Sequence, residues 1–321
     1  MRPEVSFTEH RRAQRDANSG NYRTRALSYN LAMSDTIQRF LFEHAPVRGE
    51  IVHLDATWRA VLERHAYPPA VRALLGEMMA AAALLTATLK FGGTLIMQIQ
   101  GSGPVKLLVV ECTSDHHMRA TAKWSTVPSG GDLAALVGDG KFAITLDPGQ
   151  GRPGYQGVVA LEGASVAAAL EQYMLRSEQI ETRLWLTTRD EYAAGLLLQK
   201  LPEGSGTDAD AWQRATLLAT SLTPQELAAH GAAELLRRLY SAEDIRVFKP
   251  RPVAFRCTCS RERVTSMLHM LGRTEVESIV AERGEVEVNC EFCNQRYRFD
   301  AGEAAALFAA NISIAARATR H

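Results

Sequence analysis

The chain has 321 residues, 46% of them hydrophobic and 22% charged, the composition of a globular protein with apolar mass for more than one domain. Lysine plus arginine balances aspartate plus glutamate at 36 each, which argues against a whole-chain electrostatic grip on nucleic acid or anionic lipid. The longest apolar run, Met78 to Leu89, is too short for a helix through about 30 Å of hydrocarbon, so no membrane span is expected.

Residues 1–33 read as a disordered extension. Arg2, Arg11, Arg12, Arg15, Arg23 and Arg25 face few acidic residues, and no apolar stretch there makes a secretory signal. Met33 is the natural start of the folded part, with Ser34-Asp35 as cap of a helical pattern carried by Ile37, Phe40, Leu41 and Phe42. Ile51 to Leu54 reads as a strand and Thr57 to His65 as a helix. Tyr67-Pro68-Pro69 breaks the chain, and a long Ala-rich helix runs to Leu89.

Strands follow at Thr94–Gln100, Val105–Cys112, Met118–Trp124, Lys141–Leu146 and Tyr155–Leu161. Ser165–Ser177 is helical by spacing, and Arg183–Thr188 and Ala194–Leu201 are strands. The pattern predicts an α+β fold, with an α/β-type core domain over residues 34–203. Pro202 to Gly206 is a flexible junction. A helical linker over 204–250 comprises Asp208–Leu222 and Pro224–Tyr240, with a modest apolar stripe of Leu227, Leu235, Leu236 and Leu239. A small module over 251–321 completes the chain. Gly138-Asp139-Gly140-Lys141 lacks the glycine spacing of a phosphate loop. His116-His117 lies in a polar turn without a nucleophile beside it and reads as solvated.

The chemistry is concentrated in the cysteines. Of five, four fall in the last module as Cys257-Thr258-Cys259 and Cys290-Glu291-Phe292-Cys293. Two close pairs joined by a loop can supply four thiolates to one tetrahedral Zn²⁺. Four thiolates fill the shell and leave no open position for a catalytic water. Two structural disulfides of a secreted domain are the competing reading, which no signal peptide supports. Haem attachment needs a histidine after the second cysteine, where Asn294 stands.

Both sulfurs of the first pair can reach the metal because alternate residues of extended chain share a side. A disulfide across Thr258 alone would close a small, strained ring, the kind that stays labile. Arg256, Arg261, Arg263, Arg296 and Arg298 flank the pairs. They either favour the thiolate form or are ordinary solvated charge. Arginines and acidic residues balance at eight each over 251–300, which is not a nucleic-acid patch. Cys112 ends an apolar strand and reads as a core thiol.

CTCSRER at Cys257 to Arg263 and CEFC at Cys290 to Cys293 are the most specific marks of a family resemblance. FLFEHAPVRGE at Phe40 to Glu50, LLTATLKF at Leu84 to Phe91, QGSGP at Gln100 to Pro104, YQGVVALEG at Tyr155 to Gly163 and YMLRSEQ at Tyr173 to Gln179 agree with it in the same order. Over about residues 35–310 the chain resembles the redox-regulated 33 kDa chaperonin family.

The resemblance implies a cytoplasmic, ATP-independent holdase rather than an enzyme. Zinc on the four cysteines keeps such a protein inactive. Oxidation pairs Cys257 with Cys259 and Cys290 with Cys293, releases the metal, unfolds the module and destabilises the linker. The uncovered surface then binds unfolding clients, and the monomer becomes a homodimer. The extension at residues 1–32 is outside the family pattern. The alternative is an enzyme sited in the α/β domain with a structural zinc tail.

Overall fold

The computed structural model describes residues 35–308, apart from 150, 162, 190, 203–207 and 209, together with the short strand Val5–Ser6. The rest of the N-terminal extension, most of the 202–206 junction and residues 309–321 lie outside the described residues. The chain divides into two compact units, Met1–Arg256 and Cys257–His321.

The first unit is built on the helix Pro69–Thr88 (α2), where every residue from Met78 to Thr88 is buried. Pro69 supplies its first turn, where a missing N–H costs nothing. Alanines 80–83 let two sheets approach it closely. By length and composition this helix could cross a membrane, yet 78% of its most apolar window is buried inside the protein. It is longer than the apolar run marked in the sequence because Ala70 to Glu77 extend it.

One sheet has strands β2 (Thr36–Phe42), β3 (Val47–Leu54), β9 (Thr182–Thr188), β10 (Ala193–Lys200) and β11 (Ile245–Val247). With β1 (Val5–Ser6), the order is β1-β11-β2-β3-β10-β9, and β12 (Arg251–Pro252) also pairs with β2. The second sheet runs β13-β6-β5-β4-β7-β8. Its strands are β4 (Thr94–Gly101), β5 (Val105–Thr113), β6 (His117–Trp124), β7 (Gly140–Asp147), β8 (Tyr155–Val159) and β13 (Ala254–Phe255). This mixed helix-and-sheet architecture is the α+β class the sequence predicts.

The segment expected to be helical at Ile37–Phe42 is strand β2. The reason lies in its two buried faces. Ile37 points to the core around α2, while Phe40 and Phe42 point to the opposite face of the sheet. Apolar residues of both parities on one strand imitate helical spacing. Asp35 does cap a helix, but a distant one. Its carboxylate accepts the backbone N–H groups of Asp55 at 2.6 Å, Ala56 at 3.0 Å and Thr57, at the start of α1 (Ala56–Leu62).

The predicted helix 224–240 is two helices, α6 (Pro224–Ala229) and α7 (Ala232–Leu239), divided where His230 and Gly231 turn extended. With α5 (Ala211–Thr220) they cover the outer face of the first sheet. Ala215, Ala219, Leu227, Leu235, Leu236 and Tyr240 meet Phe40, Phe42, Val47, Ile51, Leu196 and Leu198 there. Phe42 and Tyr240 pack edge to face with ring centroids 5.0 Å apart. Phe40 fits only because residue 49 is glycine: a Cβ there would lie 2.1 Å from its ring.

His116 departs from its expected place. It sits in a tight turn with φ 59° and is buried, 3% exposed. Burial, with Arg251 nearby, holds its imidazole down to about 4. The polar turn residues around it advertised solvation, but β13 crosses beside it: Ala254 donates its N–H to the His116 carbonyl at 3.2 Å.

Candidate metal centre

In the second unit, Ser260 closes the first cysteine pair and caps α8 (Arg261–Leu271), its Oγ accepting from the Arg263 N–H at 3.3 Å. Gly272, at φ 95°, turns the chain into α9 (Arg273–Arg283), and Gly284, left-handed at φ 81°, ends that helix. The hairpin β14 (Glu285–Asn289) and β15 (Arg296–Asp300) follows, with Cys290 to Cys293 at its tip. Cys290 N–H donates to the Gln295 carbonyl at 2.9 Å, and Asn294 N–H to the Cys290 carbonyl at 2.8 Å. Asn294 adopts the left-handed φ of 59° that this turn needs.

A reciprocal cap between Asp300 and Glu303 starts the helical turns over residues 301–308. Val264, Leu268, Val276, Val286, Phe299, Ala304 and Phe308 form the buried core of this unit. So small a core supplies only a few kcal/mol, and domains of this size usually need a metal or disulfides.

The four sulfurs converge. Cys257 Sγ lies 3.6 Å from Cys290 Sγ, Cys259 Sγ lies 3.3 Å from Cys293 Sγ, and all four ligand atoms fall within 4.8 Å of one another. A tetrahedral Zn–S bond of about 2.3 Å sets its sulfurs about 3.8 Å apart, which the observed spread brackets. All five cysteines are free thiols. Burial raises the thiols of Cys290 and Cys293 above the ordinary cysteine range. Four adjacent, partly buried thiolates need a cation in their midst, and the donor set is one that suits a soft divalent ion.

Of the flanking arginines, Arg261, Arg296 and Arg298 are paired with carboxylates, while Arg263 stays beside the first cysteine pair. Arg261 bonds Glu303 at 2.7 Å and lies over the Phe299 ring. Arg263 donates to Thr258 Oγ1 at 2.7 Å, and both Arg296 and Arg298 pair with Glu287. Of the two readings of these residues, ordinary surface charge fits Arg296 and Arg298.

Tyr297 was not legible as part of the site: its hydroxyl donates to Cys259 Sγ at 3.2 Å, and that bond raises its phenol to about 12. The only sequence signal was its place in the strand leaving the second pair. Cys112 is fully buried in the core of the first unit, where burial pushes its thiol up to about 12 and keeps it unreactive.

A family profile described as Hsp33 protein matches residues 35–300. A 33 kDa chaperonin of Chromobacterium violaceum is 52% identical over 294 residues, covering 91% of this chain and all of the relative. The chain belongs to this family. Another 33 kDa chaperonin, from Methylobacillus flagellatus, is 50% identical over 293 residues, with the same coverage. The crystal structure of the 33 kDa chaperonin of Thermotoga maritima superposes with a TM-score of 0.75 over 87% of this chain and 99% of the other at 22% identity, a likeness of fold. As a 33 kDa chaperonin family member the protein is a chaperone, and its four clustered cysteines are positioned to bind a metal ion.

Proposed function

We propose that this chaperone is a non-enzymatic, cytoplasmic holdase switched by oxidation, with one Zn²⁺ held by Cys257, Cys259, Cys290 and Cys293. The observation that carries the reading is the convergence of four sulfurs within 4.8 Å in a unit of very small core. Zinc bound there supplies folding energy, on the order of 10–16 kcal/mol at neutral pH for structural sites. The cysteines hold it as thiolates, and the same thiolates are the nucleophiles an oxidant meets.

With peroxide as oxidant, one thiolate attacks and the O–O bond breaks. The second thiolate of the pair then displaces hydroxide to form S–S. Each disulfide delivers two electrons, and with two protons the peroxide becomes two waters. The family pattern pairs Cys257 with Cys259 and Cys290 with Cys293, whereas in the thiol state Cys257 lies 3.6 Å from Cys290 and Cys259 lies 3.3 Å from Cys293, across the pairs. Peptide mapping of the oxidised protein distinguishes the two.

Without metal, the cysteine module loses most of what holds it, and the linker at 204–250 loosens. The linker helices cover Phe40, Phe42, Ile51, Leu196 and Leu198. Uncovered, this face offers apolar side chains to unfolding clients and to a second copy of the chain, so the reduced monomer dimerises on oxidation. We divide the chain by these functional parts at 34–203, 204–250 and 251–321, with strands β12 and β13 at the start of the last part paired into sheets of the first unit.

The decisive experiment measures zinc and free thiols before and after peroxide, beside aggregation of a heated model protein. One zinc per reduced chain, four thiols lost with its release, and protection only afterwards support the reading. Protection by the reduced, zinc-loaded protein at the oxidised level overturns it.

A further inference from the structure

Glu77 stands apart from the redox chemistry. It lies in the first half of α2, partly buried, between two adjoining clefts. One, of about 230 Å³, is bounded by Leu184 and Trp185 of β9 and by Leu222, Pro224 and Leu227 beside α6. The other, of about 300 Å³, is bounded by Leu74, Leu133, Leu136 and Val166. Among the described residues, neither lining holds an arginine, lysine or histidine, and Glu77 has no ion-pair or hydrogen-bond partner. The linings are mainly apolar, with the hydroxyls of Ser165 and Thr223 among them, and a half-buried carboxylate left unpaired in such surroundings favours an incoming cation. Burial pushes the Glu77 carboxyl up to about 7, in keeping with that isolation.

We propose that the cleft at Glu77 binds the lysine or arginine side chain of a peptide segment whose neighbouring residues are apolar. The ammonium or guanidinium pairs with the carboxylate, and the aliphatic stem and flanking side chains lie against Leu184, Trp185 and Leu227. The site is distinct from the cysteine centre, and because Leu222, Pro224 and Leu227 belong to the linker it is complete while the linker is docked. It gives the folded, reduced protein a sequence preference of its own, for basic residues in apolar surroundings.

The test uses the full-length reduced, zinc-loaded protein. It is titrated with acetyl-Leu-Lys-Leu-amide and separately with acetyl-Leu-Gln-Leu-amide, following the fluorescence of Trp185, with Trp185→Phe protein as the background. The lysine peptide is expected to bind about ten-fold tighter than the glutamine peptide. Glu77→Gln, which keeps the side-chain shape, should abolish that difference, and Glu77→Asp should retain part of it. Equal affinity of the wild-type protein for both peptides overturns the proposal without recourse to any variant. So does a lysine preference that survives Glu77→Gln. Benzylammonium binding as tightly as the lysine peptide would also overturn it, assigning the cleft to small organic cations instead.

Discussion

His53 Nε2 lies 2.8 Å from the carbonyl oxygen of Leu227, a buried hydrogen bond between strand β3 and the linker helix α6. Burial lowers the His53 imidazole below its ordinary value. Neutral His53 therefore belongs to the docked state, and protonation opposes docking. The sign follows: this contribution is complete above about pH 6.5, the free imidazole value, and is lost as pH falls below it. Hydrogen-exchange protection over 211–239, corrected for the intrinsic pH dependence of amide exchange, should fall between pH 7 and pH 5 by more than in β4–β7. His53→Gln, which can still donate to the carbonyl but does not titrate, should flatten that dependence. An unchanged pH profile in the variant would remove His53 from the linker's pH response.

Replacing any one of Cys257, Cys259, Cys290 or Cys293 by serine should lower zinc affinity by orders of magnitude, since the full binding energy rests on four thiolates. Cys112→Ser should leave zinc untouched, because Cys112 is sealed in the other unit's core. Metal analysis after dialysis against a weak chelator checks both. Full occupancy in the Cys290→Ser protein would refute the four-sulfur assignment.

Tyr297→Phe removes only the hydroxyl that donates to Cys259 Sγ. A donated hydrogen bond draws electron density from sulfur, so its loss should make Cys259 a better nucleophile. Zinc content should stay at one per chain while peroxide-driven zinc release becomes several-fold faster. A stopped-flow assay with a zinc-sensitive dye reads this directly, and an unchanged or slower release would contradict it.

Leu235 is fully buried where α7 meets the outer face of the first sheet. Leu235→Ala should cost about 2–5 kcal/mol of linker docking through lost burial and a cavity. The reduced, zinc-loaded variant should then suppress client aggregation without oxidant, at a level the wild type reaches only after peroxide. No gain of protection despite fast exchange over 211–239 would separate linker release from activity.

What could be read from the sequence was whatever lies local in the chain. The cysteine spacing and α2 are short-range patterns, and the structure has them where expected. The failures come from tertiary context. Strand β2 carries Ile37 toward one core and Phe40 and Phe42 toward another, which no one-sided periodicity describes. The break between α6 and α7 at Gly231 was hidden because leucines continue the helical stripe on both sides of it. His116 looked solvated because its neighbours in the chain are polar, while the strand that covers it lies more than a hundred residues away. Tyr297 needed the three-dimensional proximity of Cys259 to become visible.

Strand β10 is buried on both faces, with Ala193 and Leu197 against α2 and Ala194, Leu196 and Leu198 beneath the linker. Its backbone is fully engaged between β3 and β9 over nearly its whole length. If the linker departs, the side chains of this strand meet solvent while its amides and carbonyls stay bonded to neighbouring strands. A sticky surface of this kind offers no vacant edge on which another chain could add as a further strand. The face can adhere to an unfolding polypeptide without seeding its conversion, or its own, into an extended cross-strand polymer.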